Sequence, residues 1–136
     1  MKEYPYRKMN EMREILEVLQ MPSKLKNTRT ILTLLAVARV KEKSKWSQVE
    51  ESYARTHDMI VFMNEYYPNK GGTDLKRGGY SENSRETIRD DSVSPLCSMA
   101  VMEHNGAKSQ SEKSSYRLTK EFATLLRAVS YTHLTL

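Results

Sequence analysis

Apolar residues recur at three- and four-residue spacing along several stretches of the chain, with charged residues between them. Met9, Met12, Leu16 and Leu19 form one stripe and predict a helix from about Lys8 to Gln20. Met21-Pro22-Ser23 ends it, because the residue before a proline is pushed out of helical geometry. Such a helix suits an arm, a dimerisation surface or a lid on the core. Ile31, Leu34, Leu35 and Ala38 predict a second helix from about Asn27 to Val40, widened by Leu32 and Val37, with Asn27 or Thr28 as N-cap. It is the most apolar segment and belongs at the centre of the core. Lys41 to Lys45 reads as a solvated connector. A short helix is expected over Trp46 to Ser52, with Trp46 against the second helix. Met59, Phe62, Met63 and Tyr66 then mark a helix from about His57 to Tyr66, capped by Thr56 and stopped by Pro68. A methionine and aromatic stripe of this kind reads as core.

The pattern then changes. Four of the five glycines fall within 69–79, which reads as a loop. Lys70, Lys76 and Arg77 there either meet phosphate or are simply solvated. Asn83 and Glu86 stand three apart, close to a capping box, so a helix should start near Ser84. Its exposed face carries Arg85, Arg89 and Ser92, and Ile88 points inward. Ser94-Pro95 either kinks the helix or opens a new turn with Pro95 at its first position. Leu96, Met99 and Val101 continue the buried side. Ala100 to His104 and Tyr116 to Thr119 read as strands around a polar stretch. A last helix runs from Lys120 to about Ala128 and carries Phe122, Leu125 and Leu126. A strand, a basic loop and a strand after a helix suggest the hairpin of a winged helix. The expected fold is mainly α: a winged-helix domain over 22–128, with a small two-stranded β-hairpin and an extra N-terminal helix or arm over 1–21.

Composition narrows the classes. The 136 residues make one domain. Lys and Arg number 22 against 17 Asp and Glu, a net charge of +5, which favours an anionic partner without specifying one. The single cysteine, Cys97, excludes an internal disulfide and a multi-cysteine zinc knuckle. With no long apolar run and no apolar segment behind the basic N-terminus, the expectation is a cytoplasmic protein without a membrane partner. Residues 129–136, Val-Ser-Tyr-Thr-His-Leu-Thr-Leu, back-translate to a sequence resembling a transposase-based library adapter read in frame. The expectation is a non-native tail on an N-terminal fragment, with a genuine apolar tail docked on the core as the alternative.

Catalytic chemistry is poorly supplied. Asp74-Leu75-Lys76 has the local spacing of a metal-nuclease motif but lacks a second acid on a strand. Asp90 and Asp91, and Glu50 and Glu51, are helix neighbours that do not face each other. His57, His104 and Cys97 lack zinc-ligand spacing, and Cys97 reads as a buried small hydrophobe. No catalytic residue, metal site or cofactor is expected within this chain.

The segment Tyr80…Asn83-Ser84-Arg85-Glu86-Thr87-Ile88-Arg89 resembles the N-terminal helix-turn-helix domain of BsuBI/PstI-type restriction endonucleases, which carries Tyr-Ala-Pro-Asn-Ser/Thr-Arg-Glu-Thr-Ile/Phe-Arg-Arg. Leu34-Leu35-Ala36, Trp46, Met59 to Tyr67 and Ser114 to Thr119 are similar to other parts of that domain, in order. Here Ser81-Glu82 replace Ala-Pro, and Asp90 stands where a second Arg is common. The resemblance implies that the winged-helix domain over 22–128 is a winged helix-turn-helix domain. It also implies a type II enzyme that needs Mg²⁺ and cuts short palindromic duplex DNA, with its nuclease core C-terminal to this domain.

Double-stranded DNA is therefore the expected partner. In helix-turn-helix modules the start of the second helix enters the major groove. Ser84, Arg85, Thr87 and Arg89 are the candidate readers, and Asn83 and Ser84 the candidate phosphate contacts. Lys108, Lys113 and Arg117 would grip the backbone from the wing. The competing roles are capping for Asn83, pairing with Glu82, Glu86 or Asp90 for the arginines, and a solvated hairpin for the wing residues. A stand-alone winged-helix regulator, dimeric through its first helix, and a protein-interaction module are the other classes.

Overall fold

A computed structural model describes residues 4–68, 79–107 and 113–132, with side chains described to residue 129. Helix α1 (Arg7–Val18) is followed by a 3₁₀ turn (Ser23–Leu25) and α2 (Thr28–Ala38). Every residue of α2 from Thr30 to Ala38 is buried, so it is the central helix its composition predicts. Asn27 caps it, its side-chain oxygen accepting from Thr30 N at 2.9 Å. A 3₁₀ turn (Trp46–Gln48) leads to α3 (Thr56–Tyr66). Arg55 rather than Thr56 is the N-cap residue of α3, and Asp58 reaches back to accept from Arg55 N at 3.0 Å. Burial raises the Asp58 pKa, but its hydrogen bonds from Arg55 outweigh that and hold the carboxyl below its ordinary value.

Next comes a continuous helical run in four pieces: a 3₁₀ turn (Glu82–Ser84), α4 (Arg85–Ile88), a π turn (Arg89–Val93) and α5 (Ser94–Ser98). Strands β1 (Met102–His104) and β2 (Tyr116–Leu118) form an antiparallel pair, with Met102 opposite Leu118 and His104 opposite Tyr116. Ala54 bridges the other edge of β2, exchanging both backbone hydrogen bonds with Tyr116. Helix α6 (Lys120–Thr132) closes the described chain. Thr119 starts it, its hydroxyl accepting from Phe122 N at 3.2 Å. The helix passes the expected end near Ala128 and runs through the first four residues of the segment 129–136.

The first helix is not an arm. Met9, Met12 and Leu16 are fully buried in the same core as α2, so its apolar stripe is used within the chain. The connector after α2 is not merely solvated either. Glu42 accepts from Arg7 N at 2.6 Å and Lys8 N at 3.0 Å, placing a carboxylate on the open N-terminus of α1. Trp46 lies in a turn packed mainly on α6, and its indole N–H donates to Glu11 of α1 at 2.8 Å, so α2 is not its chief neighbour. The expected helix over Trp46 to Ser52 shrinks to a single 3₁₀ turn.

Three helices end alike. Gln20, Arg39 and Ala100 take left-handed φ values of 58°, 55° and 62°. In each case the next residue, Met21, Val40 or Val101, donates its N–H back to a carbonyl five residues earlier. Val40 and Val101 bury their side chains at that corner, which offsets the left-handed strain. Ala100 is exposed, so Ala100→Gly should remove strain and raise stability by about 0.5–1 kcal/mol after the unfolded-state entropy of glycine is counted. Urea unfolding checks it, and a loss of stability would contradict the strain argument.

Candidate nucleic-acid interface

The helical run begins at a clamp. Asn64, on α3, donates to Tyr80 O at 2.7 Å and accepts from Tyr80 N at 2.8 Å. Gly79 lies beside it with φ +86°, and a Cβ there would overlap the Asn64 side-chain amide. This clamp sets the chain so that helical structure starts at Glu82. The expected Asn83–Glu86 capping box does not form; Asn83 is inside the 3₁₀ turn and exposed, and Ser84 N donates to Ser81 O at 2.9 Å. His57 of α3 meets Glu82 at 2.7 Å, a second tie between the two helices.

Ile88 is fully buried and anchors α4 against the core. Arg85, Glu86 and Thr87 point to solvent. Ser84 does not: it is 7% exposed, on the inner side of the run. Ser92, expected on the outer face, is fully buried. It shares a 2.8 Å hydrogen bond with the Thr30 hydroxyl and accepts from Arg29 Nε at 2.9 Å. Ser92 stands four residues after the inward Ile88, inside a π turn that packs against α2. Pro95 has no N–H to give to the preceding turn, and the wide turn just before it accommodates that loss without breaking the run. Leu96 and Val101 are buried as expected, but Met99, the residue that ends α5, is 40% exposed.

Both arginines of the run are paired. Arg85 lies 3.7 Å from Glu82 on the exposed surface, and the half-buried Arg89 lies 3.1 Å from Asp90. The exposed Arg85 pair is weak and opens readily to a stronger anionic partner. On the hairpin, Arg117 pairs with its cross-strand neighbour Glu103 at 2.6 Å and stacks over Tyr53 at 4.6 Å. The exposed Lys113 lies at the base of the turn, where its carbonyl accepts from Asn105 at 2.6 Å. Lys108, the glycine-rich loop 69–78 with Asp74, and His133 lie outside the described residues. Helix and hairpin meet at a cleft of about 510 Å³ that brings Arg89 beside His104 and Tyr116. This is the spatial order of a winged helix: a core-anchored helix with an exposed polar face, then an adjacent two-stranded wing.

The family model of the BsuBI/PstI restriction endonuclease HTH domain matches residues 6–134. The chain belongs to this family. Among solved structures, the SdaI restriction endonuclease is similar to this BsuBI/PstI-type domain with a TM-score of 0.76 at 19% identity, a likeness of fold. It covers 93% of this chain and 39% of the SdaI chain, so the domain spans well under half the length of that enzyme. No curated protein matches the sequence.

Within this BsuBI/PstI-type domain the helical run from Glu82 to Ser98 carries two arginines against Glu82, Glu86, Asp90 and Asp91, a balance of −2. A further cation reaches it from another element, Arg29 of α2, which donates to Ser92. Local sequence carries no signal for that neighbour, because Arg29 and Ser92 are 63 residues apart. Cys97, half-buried near the end of the same run, has its thiol pKa raised by burial and by Glu103. Among the described residues no group of three His, Cys, Asp or Glu side chains could hold a metal ion. Among the described residues no helix is long and apolar enough to cross a membrane.

Proposed function

We propose that this domain binds duplex DNA as the specificity arm of a type II restriction endonuclease. The observation that carries this reading is the exposed face of Asn83, Arg85 and Thr87 on a helix fixed by buried Ile88, flanked by a wing, in a chain of the restriction endonuclease HTH family. Arg85 presents a bidentate fork suited to guanine edges or phosphate, and Thr87 a hydroxyl. Arg89, Lys113 and Arg117 contribute from the second half of the helix and the wing, and Lys108 from the loop between the strands. The full enzyme would cut short palindromic duplex DNA with Mg²⁺ held by a nuclease core outside this chain, which fits the SdaI coverage. In this reading residues 129–136 are adapter-derived and the chain is a fragment, inactive by itself. The acidic balance of the helix favours one second reading, in which the same face holds a basic protein segment.

The test is fluorescence anisotropy with a labelled mixed-sequence duplex. If Arg85, Lys113 and Arg117 each neutralise one phosphate, raising salt from 50 to 200 mM should weaken binding roughly 40-fold. Adding Mg²⁺ should produce no cutting. Salt-independent binding, or none at 50 mM, would sink the DNA-binding reading, and a DNA-inert chain that captures a basic peptide would favour the second.

A further inference from the structure

A cleft of about 500 Å³ opens where the N-terminus of α2 meets the start of the helical run, with Thr28, Arg29, Tyr80, Ser84 and Thr87 on its wall. Among the described residues that line it, none is acidic. Asn27 takes the N–H groups of Thr30 and Ile31, leaving those of Thr28 and Arg29 without an intrahelical partner, as at any helix start.

Two buried hydroxyls set this helix start apart. Thr28 is 9% exposed and Ser84 7% exposed, and both line the cleft. Among the described residues neither hydroxyl has a protein hydrogen-bond partner, and neither is sealed from water, so both open to the cleft. They come from different elements and converge on one space. Arg29 is held there from behind, because its Nε donates to Ser92 Oγ at 2.9 Å while Ser92 is itself bonded to Thr30. That leaves the Nη edge of the guanidinium for a ligand. Arg29 itself lines the cleft, beside Tyr80 and Thr28. Donor amides, two hydroxyls open to the cleft and a preset arginine make an oxyanion receptor.

We infer that this cleft binds a phosphodiester group of the DNA backbone, with Arg29, Thr28 and Ser84 as donors. The inference rests on the DNA-binding reading and locates backbone affinity where α2 meets the helical run, at a cleft wall that carries no acidic side chain among the described residues. A phosphate seated here would lie beside Thr87 and so set the register of the exposed face.

The experiment measures duplex binding against salt for the wild-type chain, Arg29→Gln, Arg29→Lys, Thr28→Val and Arg85→Ala, with folding checked by circular dichroism. Arg29→Gln should weaken binding about tenfold on every duplex sequence and make the log K against log salt slope shallower by about one. Arg29→Lys should restore the slope. Thr28→Val, which keeps shape and charge, should weaken binding about threefold with the slope unchanged. Wild-type affinity in Arg29→Gln and Thr28→Val, with Arg85→Ala impaired, would overturn the site and leave the DNA-binding reading intact. A wild-type chain that ignores duplex, while inorganic phosphate shifts the amide resonances of Thr28 and Arg29 in a manner lost in Arg29→Gln, would uphold the oxyanion site and overturn its assignment to DNA. No response to either probe would overturn both.

Discussion

Gly79→Ala is expected to destabilise the domain by about 3 kcal/mol. A non-glycine residue in the left-handed region costs roughly 1–2 kcal/mol. Gly79 has φ +86°, and its new Cβ would also displace the Asn64 side chain. Asn64 would then lose two hydrogen bonds to Tyr80, each worth about 0.5–1.5 kcal/mol. Gly106 is the internal control. Its φ is +88°, but nothing lies within 4 Å of its would-be Cβ. Gly106→Ala should therefore show only the conformational cost, about 0.5–1 kcal/mol after the unfolded-state entropy of glycine is counted. Asn64→Ala combined with Gly79→Ala should be less costly than the sum, because both break one clamp. Urea unfolding of the four variants measures this. Equal losses at Gly79 and Gly106, or strict additivity with Asn64, would show that the clamp is not the cause.

Ile88→Ala should cost about 3 kcal/mol, within the usual range for truncating a buried aliphatic side chain. Ile88 is fully buried, and it holds a single turn of α-helix, α4, that has only a 3₁₀ turn before it and a π turn after it. Arg85 is three residues away on the exposed face, and its pair with Glu82 is surface-screened. Arg85→Ala should therefore stay within about 0.5 kcal/mol of wild type. Thermal or urea unfolding checks both. In anisotropy assays Arg85→Ala should lose DNA affinity while fully folded. A large stability loss in Arg85→Ala, or a mild one in Ile88→Ala, would reverse the assignment of inner and outer faces.

Much of the helical scaffold is legible in local periodicity. The stripe in α2, the cap at Asn27 and the inward Ile88 all follow from 3.6-residue spacing and the side-chain chemistry of one segment. The two strands follow from alternation, and the Tyr80 to Arg89 motif carries the family resemblance that the match over residues 6–134 bears out. The candidate site is less legible. A regular helix drawn from Ser84 puts Ser92 between the outward Arg85 and the inward Ile88, and its bonds to Thr30 and Arg29 of α2 decide the side. Ser84 looks like an outward reader in sequence and is an inner wall in space.

What the sequence by itself determined was the class of protein: a basic, mainly helical winged domain with one helix-turn-helix signature. These properties are sums over residues or repeats within one turn, so neighbours in the chain suffice to specify them. The tertiary structure alone decided which groups meet. Glu42 caps α1 from 35 residues away, Trp46 donates to Glu11 across 35, Asn64 clamps Tyr80 across 16, and Arg29 is set by Ser92 across 63. Polar groups taken out of water must find partners wherever the folded chain offers them. Those partners are chosen by packing, which a linear pattern does not contain.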